Sequence, residues 1–348
     1  MAIKIYRYIK QKIKKTFFLQ TPDLLFTKKN NIPNSHLNNQ LIKFGNKNKN
    51  KTFYVIRRTP GTGLFSNVLY VLNHLKIAKK NKYIPFVDME NFITIYNERK
   101  KINGTKNAWE YYFKNLSNYK LKEIYQSKKV IFTDNKYHSN FVYDLEKNKE
   151  LMKLFKQKIL INKNILNEYR SIKKKKLIGK ILGVHFRGTS YKRSPGHPFP
   201  STKKQMIQII DFYLKKKKFN KIFLATEEKN YLEFLKKRYG NKLIFLNNVY
   251  RSNKNDAFKI YPRKSHRFKL GKEIILETML LSCTDHFIFV NSNVSSAAIA
   301  FNLNNKQKRI LIDNGNNSKN QFVAQWLWYL KKSLPQILGG FKIRLKYI

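Results

Sequence analysis

Cysteine is almost absent from this chain, and its scarcity excludes whole classes of protein. The single residue, Cys283, rules out an internal disulfide framework and any zinc site built on cysteine. The seven histidines form neither an HExxH pattern nor a pair at metal-ligand spacing, so a protein-held metal is not expected. One cysteine also fits a reducing compartment, and we expect a cytoplasmic protein.

Long apolar runs are also lacking. No window of about 18 uninterrupted apolar residues occurs, so no membrane-spanning helix is expected. Residues 1–19 interleave apolar and basic side chains at roughly helical spacing and lack the uncharged core of a secretory signal. This segment could lie on an anionic membrane surface, at the inner face of the membrane, or pack on the protein as an ordinary amphipathic helix.

Acidic residues are few: 20 Asp and Glu stand against 72 Lys and Arg, a formal net charge of +52. This excess favours nucleic acid, anionic lipid or a phosphorylated substrate as partner. The lysines are nevertheless spread along the chain, in runs such as 173–176 and 215–218, as expected for solvated surfaces in an A- and T-rich coding sequence. No RNA- or DNA-binding motif supports a specific nucleic-acid partner.

The order of predicted elements indicates two domains, for which 348 residues suffice. Residues 1–50 form a basic N-terminal segment and linker. Residues 51–165 begin with a strand, a Gly-rich turn, a helix and a strand, the opening of a Rossmann-like domain. Residues 175–335 alternate strands with helices. The sequence therefore predicts an α/β protein of two Rossmann-like domains with parallel, doubly wound sheets.

Residues 181–190 are the most informative part, because an apolar strand runs there into a polar, basic loop. Ligands of open α/β sheets bind outside the carboxyl ends of strands. Arg187 presents a planar fork suited to two phosphate oxygens, Gly188 would let the backbone approach a ligand, and Thr189 adds a hydroxyl and an amide. These residues predict a site for a phosphorylated ligand such as a nucleotide. The alternative is a strand end whose arginine is merely solvated.

Two further strand ends carry polar side chains that should converge on the same edge. Thr226 follows one strand, and Ser292 and Asn293 follow another. Ser295 stands near the start of the next helix, where free backbone amides and the helix dipole favour a phosphate. We expect all four residues to contribute to donor binding.

Together, three segments resemble the GT-B glycosyltransferases that use GDP-fucose. They are the His-x-Arg strand end at 183–189, the acidic helical stretch at 270–285 and the serine-bearing turn at 290–295. The helix opening at 63–67 is similar to that of the family's acceptor domain. The resemblance extends over most of residues 52–330 and includes the nodulation-factor and core α-1,6-fucosyltransferases and the protein O-fucosyltransferases.

The resemblance implies an inverting, metal-independent transfer of fucose from GDP-fucose, with no cofactor besides this donor substrate. It implies that His185 lies beside the guanine and that Arg187 clamps the β-phosphate. Glu277 would accept hydrogen bonds from guanine N1 and N2, and Ser292 and Asn293 would contact phosphate. The acceptor could be a glycan or a lipid-linked oligosaccharide. A GT-B enzyme with another nucleotide sugar, and a basic nucleic-acid-binding protein, are the alternatives.

One departure from the family concerns the general base. The core α-1,6 enzymes carry an acidic residue in the loop after His-x-Arg, whereas residues 188–210 contain no Asp or Glu here. His197 is the only usual base near neutral pH in this loop. We therefore expect His197 to take the acceptor proton while Arg187 stabilises the leaving phosphate. Alternatively, His197 only hydrogen-bonds the loop.

Overall fold

The computed structural model describes residues 39–133, 148–301 and 303–348. Most of the predicted N-terminal segment, with its expected membrane contact, lies outside the described residues. The chain divides into two compact units that interleave along the sequence. The first unit comprises residues up to 140, Lys158–Leu160 and Phe258–Gly271, and the second comprises 141–157, Ile161–Ala257 and Lys272–Ile348.

Within residues 39–133 the first unit forms a four-stranded sheet in the order β1-β4-β2-β3. The strands are β1 (Leu41–Ile42), β2 (Lys47–Ile56), β3 (Ile84–Val87) and β4 (Ser127–Phe132), with helices α1 (Leu64–Lys80) and α2 (Leu121–Ile124). The central strand β2 pairs in parallel with β3 and β4, whereas the edge strand β1 is antiparallel to β4. The end of β2 is apolar and buried, which explains why the sequence predicts it well.

Among the described residues of the second unit, six strands form one sheet in the order β10-β9-β8-β5-β6-β7. They are β5 (Ile181–His185), β6 (Lys221–Ala225), β7 (Leu243–Ile244), β8 (His286–Phe289), β9 (Lys308–Ile312) and β10 (Leu345–Tyr347). All pairings are parallel except that of β10 with β9. Every residue of β5 and β8 is buried, as expected for central strands covered on both faces.

Helices connect the strands of the second unit, as the alternating pattern predicts. In chain order they are α3 (Lys149–Lys158), α4 (Lys163–Lys176), α5 (Lys203–Lys216), α6 (Lys229–Tyr239), α7 (His266–Leu281), α8 (Asn293–Phe301) and α9 (Gln321–Ser333). Helices α3 and α4 precede β5, and the residues of α7 up to Gly271 belong to the first unit. The start of α5 is fixed by a capping box, in which the Thr202 side chain accepts from the Gln205 backbone and the Gln205 side chain accepts from the Thr202 backbone.

The structure adds features that the sequence did not predict. Helix α9 and the antiparallel strand β10 follow the last predicted strand, and β1 precedes the first. Short edge strands carry few apolar residues, so a periodic pattern hardly marks them. None of the helices in the described part of the chain is long and apolar enough to cross a membrane.

Candidate functional site

Three neighbouring parallel strands of the second unit end side by side. Strand β5 pairs with β6 through His185 and Ala225, and with β8 through Val184 and Ile288. Because the strands are parallel, the residues that follow them all leave the sheet on the side of its carboxyl ends. The structure thus brings together the three strand ends that the sequence singled out.

A carboxylate that was not among the predicted site residues lies between the ends of β5 and β6. The Oε1 atom of Glu227 accepts hydrogen bonds from the Gly188 backbone N–H at 2.9 Å and from the Thr189 hydroxyl at 2.8 Å. Arg187 Nη1 lies 3.2 Å from the same oxygen. Although burial opposes ionisation, the charge of Arg187 and the Gly188 N–H lower the pKa of Glu227. Glu227 is therefore an ionised anchor for the loop after β5.

Gly188 makes its close approach to protein rather than to open space. A Cβ atom added to Gly188 would lie 1.9 Å from Glu228 Oε2 and 2.9 Å from the ring of Tyr231. The sequence predicted that Gly188 would allow a ligand to approach the backbone. In the described structure the group that approaches Gly188 is the Glu228 carboxylate.

Lys192, the last residue of the turn at 189–192, forms a second set of contacts with Glu228 and its neighbours. Its ammonium pairs with the buried carboxylate of Glu228 and lies 4.7 Å from the ring centre of Tyr231 and 5.2 Å from that of Trp328. The Tyr231 ring also stacks on Phe186 with 3.8 Å between the ring centres. These contacts hold in place the 189–192 turn, which follows Arg187 in the chain.

His185 is buried at the end of β5, where burial, with a smaller contribution from Arg187, lowers its pKa to about 4 against the opposing charge of Glu227. The imidazole is therefore neutral near pH 7. Its Nδ1 atom is buried and has no hydrogen-bond partner among the described residues. A buried ring nitrogen of this kind can bind a polar atom of a ligand.

Arg187 and His197 are brought together around Tyr191. The Arg187 guanidinium carbon lies 4.6 Å from the centre of the Tyr191 ring, and the His197 ring lies 4.9 Å from it, centre to centre. Burial, followed by the charge of Arg187, lowers the pKa of His197. The backbone carbonyl of His197 accepts from Asn317 N–H at 2.8 Å, which holds this loop in place. A neutral imidazole close to Arg187 can accept a proton.

The Thr226 side chain has a structural role, because its hydroxyl bonds to the backbone at the ends of two strands. Its hydroxyl donates to the Phe186 carbonyl at 2.7 Å and accepts from Glu228 N–H at 3.2 Å. The side chain is buried and links the ends of β5 and β6. Direct donor contact by Thr226 stays a prediction.

Glu277, on helix α7, is paired with an arginine that the sequence analysis missed. Arg251 Nη2 donates to Glu277 Oε1 at 2.8 Å, and Arg251 Nε donates to the Thr226 carbonyl at 3.0 Å. Burial raises the pKa of Glu277 to about 8 against the opposing charge of Arg251, with Glu273 and Glu227 adding to the rise. The predicted guanine acceptor thus shares its carboxylate with Arg251.

The serine-bearing turn after β8 caps helix α8. Ser292 N–H donates to Ser295 Oγ at 2.9 Å, and Ser295 N–H donates to Ser292 Oγ at 3.1 Å. Both hydroxyls are therefore engaged in shaping the turn. Asn293 differs, because its Oδ1 atom is buried without a hydrogen-bond partner in the described part of the chain. Asn293 is the member of the turn whose side chain retains an acceptor for a ligand.

The residues that the sequence missed are Glu227, Glu228, Lys192 and Arg251. Glu227 and Glu228 directly follow a predicted strand, so the polar strand end could have revealed them. Arg251 lies in a polar loop, where no local pattern marks it. No cluster of three His, Cys, Asp or Glu side chains suited to a metal occurs among the described residues.

The two units, each built on a mainly parallel sheet, have the architecture of the GT-B fold. No family model matches the chain, and no curated protein matches it. Solved structures do. NodZ α-1,6-fucosyltransferase soaked with GDP-fucose is 14% identical with a TM-score of 0.51, over 86% of this chain and 99% of that chain.

Two further crystal structures agree. NodZ co-crystallised with GDP is 14% identical with a TM-score of 0.50, over 76% of this chain and 96% of that chain. Selenomethionine NodZ from Bradyrhizobium is 14% identical with a TM-score of 0.51, over 86% of this chain and 99% of that chain. At this identity the likeness shows the fold, and it confirms the predicted GT-B fucosyltransferase-like fold.

Proposed function

We propose that the protein is a fucosyltransferase that moves fucose from GDP-fucose to a hydroxyl of a glycan or lipid-linked oligosaccharide. The observation that carries this proposal is the Arg187–Glu227 pair at the carboxyl ends of β5 and β6. Neutral His185 lies at the end of β5, and His197 contacts the same Tyr191 ring as Arg187. The likeness to NodZ structures determined with GDP or GDP-fucose supports the choice of donor.

Arg187 is the proposed phosphate ligand. Its side chain is 24% exposed and can therefore reach a ligand, while Nη1 lies close to Glu227 and Nη2 donates to Ser190 Oγ at 3.4 Å. A fixed guanidinium stabilises charge that develops on the leaving β-phosphate without first having to reorganise. In the proposed step, the acceptor oxygen bonds to the anomeric carbon with inversion, and the bond from that carbon to the β-phosphate oxygen breaks.

His197 is the proposed proton acceptor. The step leaves GDP with the bonding electron pair, and the acceptor hydroxyl must lose a proton. Because burial and Arg187 lower its pKa, the His197 imidazole is neutral at pH 7 and able to take that proton. Arg187 and His197 together supply charge stabilisation and base, so we propose a mechanism that does not depend on a metal.

Guanine selection is assigned to His185 and Glu277. His185 offers a buried Nδ1 atom, and Glu277 offers a buried carboxyl group that Arg251 holds in place. Asn293 would add an acceptor at the start of α8. We further propose that the enzyme works in the cytoplasm, where nucleotide sugars would reach this edge of the second unit.

Thermal denaturation of the full chain tests the donor assignment, because only a ligand that favours the folded state raises the Tm. GDP and GDP-fucose should raise the Tm more than UDP or UDP-sugars, equally with and without EDTA. Turnover of GDP-fucose should likewise survive EDTA. A larger shift with GDP-mannose would assign another donor sugar, and equal shifts with all nucleoside diphosphates would show binding by charge alone.

A further inference from the structure

Helix α9 carries a stripe of large apolar side chains that faces solvent. Phe322 is 84% exposed, Trp326 is 71% exposed and Leu330 is 55% exposed. These residues are spaced by four, so they lie along one face of the helix. Val323 and Tyr329 flank them and are also exposed. We call these five residues the α9 stripe.

The stripe belongs to a firmly packed helix. On the opposite face Ala324 and Trp328 are buried, and Trp328 Nε1 donates to the Pro200 carbonyl at 2.9 Å. The Asn320 side chain caps the helix by accepting from Phe322 N–H at 2.9 Å. The exposure of the stripe therefore does not come from a detached helix.

The chain after α9 extends the apolar surface. Phe341 N–H donates to the Lys331 carbonyl, and the Lys331 ammonium donates to the Gly339 carbonyl, so this segment folds back on the end of the helix. It exposes 96% of Ile337 and 66% of Leu338. Exposed apolar residues at this density mark an interaction surface.

Charge indicates what covers this surface. Residues 314–348 contain no Asp or Glu. Their basic residues are Lys319, Lys331, Lys332, Lys342, Arg344 and Lys346. A second copy of the chain would bring one net charge of +52 against another and would be repelled. Nucleic acid would pair with the lysines but leave the apolar stripe without a matching surface.

We propose that the α9 stripe docks on the surface of an anionic phospholipid bilayer. The 13 residues of α9 span only about 20 Å, so the helix would lie in the interface plane rather than cross it. Phe322, Trp326 and Leu330 enter the acyl boundary, while the positive charge of residues 314–348 attracts the anionic headgroups. The α9 stripe is a different part of the sequence from residues 1–19, whose interleaved apolar and basic side chains also suit an anionic membrane surface.

The position of α9 ties the docking surface to the candidate site. Arg193 lies with its guanidinium carbon 5.4 Å from the ring centre of Tyr329, and Lys192 lies over Trp328. The loop that carries His197 therefore rests on the helix that meets the bilayer. This consequence, that the acceptor is presented at a membrane surface, rests on the proposed function, whereas the docking itself does not.

Tryptophan fluorescence provides a direct test, because the chain has three tryptophans and two are buried. Trp109 and Trp328 are 2% and 4% exposed, whereas Trp326 is 71% exposed. With phosphatidylcholine vesicles containing about 30% phosphatidylglycerol, the emission should shift to the blue and be quenched by brominated acyl chains. Pure phosphatidylcholine vesicles should bind far more weakly, and raised salt should weaken binding to the anionic vesicles.

Variants identify the surface. The double variant Phe322→Gln, Leu330→Gln should bind anionic vesicles about tenfold or more weakly, because it removes two inserted apolar side chains. Ile178→Gln is the matched control, since Ile178 is 69% exposed in the same unit but outside α9, and it should bind like wild type. Circular dichroism and Tm confirm that both variants fold.

The proposal is overturned if the double variant binds as tightly as wild type, or if bound protein shows no Trp326 quenching; either result would place the contact elsewhere. It is also overturned if the stripe variants abolish a concentration-dependent dimer in sedimentation while vesicles do not bind. Because neither readout uses turnover, failure here is distinguishable from failure of the proposed transferase activity.

Discussion

Arg187 and Glu227 face each other across the ends of two adjacent strands, with Arg187 Nη1 3.2 Å from Glu227 Oε1. The two residues are 40 positions apart in the chain, and only the parallel pairing of β5 with β6 brings them together. Glu227 also receives the Gly188 N–H and the Thr189 hydroxyl. One carboxylate thus orients Arg187, Gly188 and Thr189, the three residues after β5 that the sequence predicted for phosphate binding.

Replacing that carboxylate should loosen the loop. We expect Glu227→Gln to lower the free energy of unfolding by about 1–3 kcal/mol, because a charge-assisted set of hydrogen bonds is lost. Urea unfolding measures this change. Glu233→Gln is the control, since Glu233 forms an exposed i,i+4 pair with Lys229 at 3.8 Å and should cost about 0.5 kcal/mol or less. An equal loss of unfolding free energy in both variants would show that the Glu227 contacts do not stabilise the loop.

Arg187→Ala should abolish transfer, and Arg187→Lys should hardly restore it, because a lysine cannot hold Glu227 and bind a phosphate with one planar group. We expect a loss in transition-state stabilisation of about 3 kcal/mol or more, measured as kcat/KM with GDP-fucose. Arg238→Lys, at an ion pair with Asp211 on the surface, is the control and should keep near-normal turnover. Normal turnover of Arg187→Lys would show that only the positive charge of Arg187, and not its planar guanidinium, is needed.

Gly188→Ala should destabilise the second unit even though it adds one methyl group. The new Cβ would lie 1.9 Å from Glu228 Oε2 and would displace the buried Lys192–Glu228 pair. We expect a cost of about 1–3 kcal/mol by denaturant unfolding. Gly63→Ala, whose Cβ would meet nothing within 4 Å, should cost about 1 kcal/mol or less. A stable Gly188→Ala protein would show that the turn has room to move.

His197→Ala should lower kcat by roughly 100-fold to 10,000-fold if His197 is the base. Donor affinity should change little, which GDP titration of the variant measures. Because burial and Arg187 lower the pKa of His197, wild-type activity should persist below pH 6.5 and fall only as the imidazole becomes protonated. That acid limb should vanish in the variant. Weak GDP binding with an unchanged pH profile would instead make His197 a residue that orders the loop.

His185 should make stability depend on pH. Its pKa is about 4 in the folded chain and about 6.5 when exposed, so between these values the unfolded state binds more protons. The His185 contribution to stability is therefore complete above pH 6.5 and decreases as pH falls toward 4, by about 3 kcal/mol in total. The stability difference between wild type and His185→Gln, followed by urea unfolding across this range, isolates the contribution from that of Glu277. If the stability difference between wild type and His185→Gln did not change with pH, the lowered pKa of His185 would be contradicted.

The sequence by itself determined the alternation of strands and helices and the polar character of three strand ends. Apolar periodicity is a local property, so β3 is predicted at 84–87 as it stands in the structure. The order of motifs likewise sufficed for the GT-B fold, which the NodZ structures confirm. Arg187, His185 and the 290–295 turn were found because a polar group directly after a buried strand stands out.

Only the tertiary structure decided which side chains act on one another. Glu227 reaches Arg187 through strand pairing, and Arg251 reaches Glu277 from a loop 26 positions away in the chain. The requirement for Gly188 comes from Glu228, and the exposure of Trp326 comes from the packing of Trp328 on the opposite side of α9. Such contacts depend on three-dimensional packing between segments remote in sequence, which local propensity and hydrophobic period do not encode.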